Sequence, residues 1–150
     1  FFEVPDISSY NRVAPRFVDL DGDSDFDLVV GTKSNNIIIY WNIGDKNNYQ
    51  FVEDECVDIP YSGLSAKPEI KDIDNNGDIE LLVGISTGGL LHYNISKLGD
   101  MNSDNILDIL DVLSILTQIL VYNYNCHSDI NHDTNVDVGD LITLLNIILD

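Results

Sequence analysis

The stretch "VDLDGDSDFDLVVG" at residues 18–31 decides how this chain is read, because it runs five alternating carboxylates, Asp19, Asp21, Asp23, Asp25 and Asp27, straight into an apolar segment. A strand with one acidic face would set like charges beside one another, and Gly22 would weaken its interior. A loop wrapped around a hard divalent cation turns the same repulsion into a binding site. Ca²⁺ takes six to eight oxygen ligands at roughly 2.3–2.6 Å, supplied by short side chains at alternating loop positions. Taken alone, the stretch fits a solubilising polar loop equally well.

The pattern recurs. Residues 72–84 read "DIDNNGDIELLVG", with Asp72, Asp74, Asn76, Asp78 and Glu80 in the same places and an apolar strand after them. Two further loops, "DMNSDNILDILD" at 100–111 and "DINHDTNVDVGD" at 129–140, share oxygen-bearing residues at loop positions 1, 3, 5, 9 and 12. These are Asp100, Asn102, Asp104, Asp108 and Asp111, then Asp129, Asn131, Asp133, Asp137 and Asp140. Four such loops point to up to four bound Ca²⁺ ions.

The charge balance agrees. Asp and Glu number 26 against 7 Lys and Arg, for a net charge of −19. The first loop holds five of those acids and each of the others four, so most of the acidity is site chemistry. Without metal the folded chain repels itself. No basic surface is available for phosphates, which argues against nucleic acid, and no Lys or Arg follows Lys97. No apolar run reaches the ~18–20 residues that span a membrane. Loops of this open kind work at high calcium, which places the chain outside the cell. Cys56 and Cys126 are compatible with one extracellular disulfide, and the pairing stays open. The chain opens on "FFEV", as a processed product or a piece of something longer would.

Two internal repeats organise the sequence. "APRFVDLDGDSDFDLVVGTKSNNIIIYWNIG" (14–44) aligns with "AKPEIKDIDNNGDIELLVGISTGGLLHYNIS" (66–96) at a period of 53, matching Pro15 to Pro68, Asp19 to Asp72 and Gly31 to Gly84. Each unit reads strand, acidic loop, apolar strand, turn and aromatic-bearing strand, and such a period suggests propeller blades. The second repeat has a period of 29, from Asp100 to Asp129, and each of its loops enters an apolar helix, "ILDVLSILTQILV" and "VGDLITLLNIIL". The fold expected is mainly β with a small α module: two β-propeller-like blades over 1–97 and a tandem loop–helix module over 98–150.

On these motifs, "DLDGDSDFDLVVG" and "DIDNNGDIELLVG" resemble the FG-GAP/VCBS repeat of integrin-type β-propellers. The resemblance implies calcium held by Asp19, Asp21, Asp23 and Asp27, with Asp25 lending its carbonyl, and by Asp72, Asp74, Asn76 and Glu80, with Asp78 in the carbonyl role. Ser24 stands where the family usually has Gly, and Glu80 replaces the final Asp. The C-terminal region resembles a dockerin-type pair of half EF-hands. There Asp100, Asn102, Asp104, Asp108 and Asp111, then Asp129, Asn131, Asp133, Asp137 and Asp140, would be ligands, and the carbonyls of Ile106 and Asn135 would fill position 7. Asn105 and Thr134 occupy the usual Gly place, which suits Asn better than β-branched Thr. The pairs that follow position 9, Ile109–Leu110 and Val138–Gly139, are more apolar than the family's partner-selecting pair.

Both helices carry apolar residues beyond a single stripe, which predicts either a thick core between them or a face that docks elsewhere. Two blades leave open sheet edges, which predicts missing blades or assembly of copies. "FFEVPDISSY" has strand character and is a candidate outer strand. The carboxylates outside the loops form no acid/base pair, His92, His127 and His132 show no zinc spacing, and no nucleophile motif is present. The chain is therefore expected not to be an enzyme. "NIS" at 94–96 is a candidate glycan acceptor, and Tyr40, Trp41 and Tyr93 could stack on sugars. The reading is a secreted or cell-surface bacterial protein for calcium-dependent assembly or adhesion, with copies of itself, another protein or a glycan as partner. Its rivals are the non-catalytic tail of a secreted polysaccharide-degrading enzyme and a carbohydrate-binding module.

Overall fold

The computed structural model describes residues 5–34, 36–54, 59, 65–75, 79–95, 98–104, 106–122 and 125–149. Asn76, Asp78, Asn105, Cys56 and Ser96, and with them parts of the second-loop, disulfide and glycan readings, lie outside those residues. The chain is mainly β, with two antiparallel sheets and two helices. It divides into two compact units, Phe1–Leu20 with Ser24–Ile95, and Asp21–Asp23 with Ser96–Asp150.

In the first unit, β1 (Ala14–Val18), β2 (Asp27–Gly31), β3 (Ile37–Asn42) and β4 (Phe51–Glu53) form a four-stranded meander in sequence order. β5 (Lys67–Lys71), β6 (Ile79–Gly84) and β7 (Leu90–Ile95) form a three-stranded one. β2 and β3 are buried along their whole length, so their alternation serves two cores rather than one core and solvent. Val29 and Ile39, directly paired, join Leu20, Ile37 and Trp41 in a cluster with Ala66, just before β5, and Leu81 and Val83 of β6. Leu28, Val30, Ile38 and Tyr40 point the other way, onto Ile7, Tyr10 and Phe51.

The sheets approach closely where β2 passes β5. A Cβ at Gly31 would run into the Ala66 carbonyl oxygen and the Pro68 ring, so glycine is required there by space. Its repeat equivalent Gly84 has only the Lys67 carbonyl oxygen nearby, at 3.9 Å. Arg16 of β1 bonds Glu69 of β5 at 3.1 Å across the surface.

The N-terminal strand expectation fails over residues 5–10, which form a turn. Pro5 has no N–H to give to a ladder, and the Asp6 carboxylate takes the Ser8 N–H at 3.0 Å, a local bond that competes with strand pairing. Ile7 and Tyr10 are held instead by packing on the second cluster. Phe1–Val4 lie outside the described residues.

In the second unit, α1 (Ile109–Val121) and α2 (Val138–Leu149) occupy the two segments read as helical. They pack through Val112, Ile115 and Leu144, with Ile130 from the loop between them. Ile119, Leu141, Ile147 and Ile148 pack partly buried against this core, and a further set of apolar residues stays outside it. Ile109, Leu113, Leu116 and Leu120, and their repeat equivalents Val138, Ile142, Leu145 and Leu149, are exposed.

Candidate metal centres

Each acidic loop begins at an Asp, taken here as position 1: Asp19, Asp72, Asp100 and Asp129. Position 4 adopts left-handed backbone in all four, with φ 84 at Gly22, 61 at Asn75, 60 at Ser103 and 55 at His132. Position 6 does so wherever it is described, φ 74 at Ser24 and 71 at Thr134. Gly, Asn and His enter that region more readily; Ser and above all Thr do so at a cost. The structure thus places Thr134 in the conformation its β-branch resists.

Hydrogen bonds within the loops hold these turns. The position 5 N–H donates to the position 3 side chain at 3.2 Å in Asp23–Asp21, 2.9 Å in Asp104–Asn102 and 3.0 Å in Asp133–Asn131. The position 6 N–H donates to the position 1 carboxylate at 3.1 Å from Ser24 to Asp19 and 2.9 Å from Thr134 to Asp129. Ile106 and Asn135, at position 7, donate their N–H groups to Asp104 and Asp133 at 2.9 and 2.8 Å.

An acid closes each loop by accepting the N–H of position 2. Asp27 takes Leu20 at 2.8 Å and Glu80 takes Ile73 at 2.7 Å, both from position 9. Asp111 takes Met101 at 2.9 Å and Asp140 takes Ile130 at 2.7 Å, both from position 12. All four closing acids are buried. Asp27 also receives the Asn42 N–H at 2.9 Å, tying the loop to β3. Asp111 and Asp140 also receive the N–H groups of Asp108 and Asp137, at 3.0 and 2.8 Å. Asp108 and Asp137 in turn accept from Leu110 and Gly139, so each loop ends as the N-terminal cap of its helix.

Carboxylates converge in the first two loops, whereas among the described residues those of the two C-terminal loops form no such group. Oxygens of Asp19, Asp21 and Asp27 lie within 4.8 Å of one another, as do those of Asp72, Asp74 and Glu80. Oxygens on opposite sides of one Ca²⁺ stand about 5 Å apart, so each group fits the coordination sphere of a single ion. The extra methylene of Glu80 does not keep it from its cluster. In the C-terminal loops the position 3 oxygen comes from the amides of Asn102 and Asn131, and the position 1 acids Asp100 and Asp129 are buried. Burial pushes the Asp129 carboxyl above its ordinary range, and the charges of Asp140 and Asp133 push the same way, against the N–H groups of Thr134 and Asp133. Asp133 is held below the ordinary range, chiefly by the Asn135 N–H. Asp23 and Asp25 belong to the first loop but not to its three-carboxylate group, and Asp25 is buried.

Residues 19–83 match the family model of the FG-GAP-like repeat. The matched stretch begins at the first acid of the first loop and ends in β6, so it spans the first two acidic loops, over a shorter range than residues 1–97. Repeats of this kind are typical of extracellular, adhesion-like proteins and often bind calcium. Neither a curated protein nor a solved structure matches the chain. Among the described residues no helix is long and apolar enough to cross a membrane.

Sequence reasoning located the acids but missed two features of the site. One is the left-handed position 4, which Gly22 and Asn75 signal by composition and Ser103 and His132 do not. The other is the position 2 N–H. Its signal was available, since an apolar residue stands there in every loop: Leu20, Ile73, Met101 and Ile130.

Proposed function

We propose that this chain is a non-catalytic, extracellular calcium-binding protein of structural or adhesive role, whose two sheets are propeller-like blades and whose C-terminal pair is a dockerin-like module. The observation that carries the reading is the shared geometry of the four loops. Each fixes its acids by backbone hydrogen bonds and buries the acid that closes it. Like charges collected this way disfavour the apo fold, and a divalent cation reverses the sign of that term. In the first two loops Asp19, Asp21 and Asp27, and Asp72, Asp74 and Glu80, would hold the ion. In the helical unit Asp100, Asn102, Asp104, Asp108 and Asp111, and the set from Asp129 to Asp140, would do so. Bound calcium would supply a rigid link from strand to strand and from loop to helix.

The open edges of a two-blade array and the exposed apolar stripes of the helices support assembly as the purpose of that rigidity. Light scattering of the chain in millimolar Ca²⁺ and again after EDTA tests this directly. Large particles that dissociate in EDTA are expected. A monomer of the same mass in both conditions ends the assembly reading, and calorimetry without calcium heat ends the metal reading.

A further inference from the structure

The period of 53 residues sets two equivalent turns side by side. Arg12 and Ser65, which occupy the same place before β1 and β5, both take left-handed backbone, φ 53 and 60. With Val13, Lys67, Ile85 and Ser86 they line a cavity of about 470 Å³. Small-molecule sites are typically about 300–1,000 Å³. No Asp or Glu is among its described lining residues, although acids outnumber cations 26 to 7 in the chain. Neither Arg12 nor Lys67 makes an ion pair among the described residues, whereas Arg16 of β1 is paired with Glu69.

We infer that this cavity binds a small organic carboxylate of about the size of one sugar ring. A guanidinium fork and an ammonium, with the hydroxyls of Ser65 and Ser86 beside them, form the donor set that oxyanions select. Val13 and Ile85 add an apolar wall, which asks for a carbon body behind the charge. The field of a chain at −19 opposes free anions, so the contacts must be short-range and the ligand must use both wall and donors. No lining residue belongs to an acidic loop, and the inference goes beyond the calcium reading without depending on it.

The test is a ¹H–¹⁵N NMR titration of the full chain in millimolar Ca²⁺ with galacturonate, and in parallel with galactose and with sodium sulfate. Galacturonate is expected to move the amides of Arg12 to Ala14 and Ser65 to Lys67 saturably, while galactose leaves them in place. Arg12→Asn keeps a residue at home in left-handed backbone, and Lys67→Gln keeps an exposed polar side chain. Each is expected to weaken galacturonate about tenfold or more, the loss of a charge-assisted contact. A response equal to that of galactose, no saturable response, or unchanged binding in both variants overturns the inference. Sulfate binding as tightly as galacturonate overturns its organic part.

Discussion

The loops of the β unit and those of the helical unit begin alike and end differently. In both, position 1 opens on Asp, position 4 turns left-handed and an acid returns to the position 2 N–H. The return comes from position 9 where a strand follows and from position 12 where a helix follows. A strand rises about 3.3 Å per residue and places its acid beside the loop at once. A helix rises 1.5 Å per residue, so the chain spends position 9 on a cap and closes from the first turn. One turn of loop geometry is thus compatible with two kinds of successor, and the position of the buried acid records which.

The sharpest way to break this comparison is to remove a closing acid from each kind of loop. Asp111→Ala leaves the Met101 and Asp108 N–H groups without their acceptor and deletes half a capping box. A loss of about 3 kcal/mol, confined to the helical unit in hydrogen exchange, is expected. Asp27→Ala should cost a similar amount in the β unit alone. If either substitution melts both units together, the loops are not independent local structures.

Calcium removal comes next. At a hundredfold excess of Ca²⁺ over its Kd, one site adds about 2.7 kcal/mol to the fold that binds it. Differential scanning calorimetry before and after EDTA is expected to show transitions of both units shifting downward. A shift in one unit only would mean that only one kind of loop holds the ion.

A smaller effect separates the units by pH. Tyr40 is buried opposite Glu53 on the neighbouring strand, and its hydroxyl is pushed up to about 12, by burial first and the Glu53 charge second. The folded state therefore keeps a proton that the unfolded chain gives up from about pH 10. The contribution is intact below pH 10 and declines as pH rises through 12, at about 1.4 kcal/mol per unit within that window. Alkaline denaturation should soften the β unit there, and Tyr40→Phe should flatten the decline.

The smallest expected change sharpens the comparison within the helical unit. Thr134→Gly relieves a β-branched residue at φ 71 and should stabilise that loop by about 0.5–1 kcal/mol, measured by urea unfolding. No gain would mean that Thr134 holds that backbone angle without strain.

Much of this was legible beforehand. The runs 37–42, 109–121 and 138–149 are strand or helix over the residues their patterns delimit, because apolar periodicity and turn residues agree there. Three of the alternating acids in each of the first two loops, Asp19, Asp21 and Asp27, then Asp72, Asp74 and Glu80, come together, and Asp23 and Asp25 stay outside the first group. Less legible were Ser24, Ser103 and Thr134, whose own preferences oppose the backbone they adopt. Their conformation is dictated by bonds such as Thr134 to Asp129, between residues several positions apart. The opening turn was misread because the bond between Asp6 and Ser8 and the lack of a donor at Pro5 outweigh the apolar residues around them.

The bond between Arg16 and Glu69 has a meaning larger than its strength. Both side chains are exposed, and such pairs contribute little to stability. Yet the two residues hold the same place in successive repeats and carry opposite signs. A duplicated unit is symmetric at birth, and this pair is where the symmetry has been broken. Two copies of the first repeat stacked in this manner would set Arg against Arg, and two copies of the second repeat would set Glu against Glu. The junction therefore carries an order, first repeat before second, written in charge on a surface that sequence repetition alone leaves indifferent.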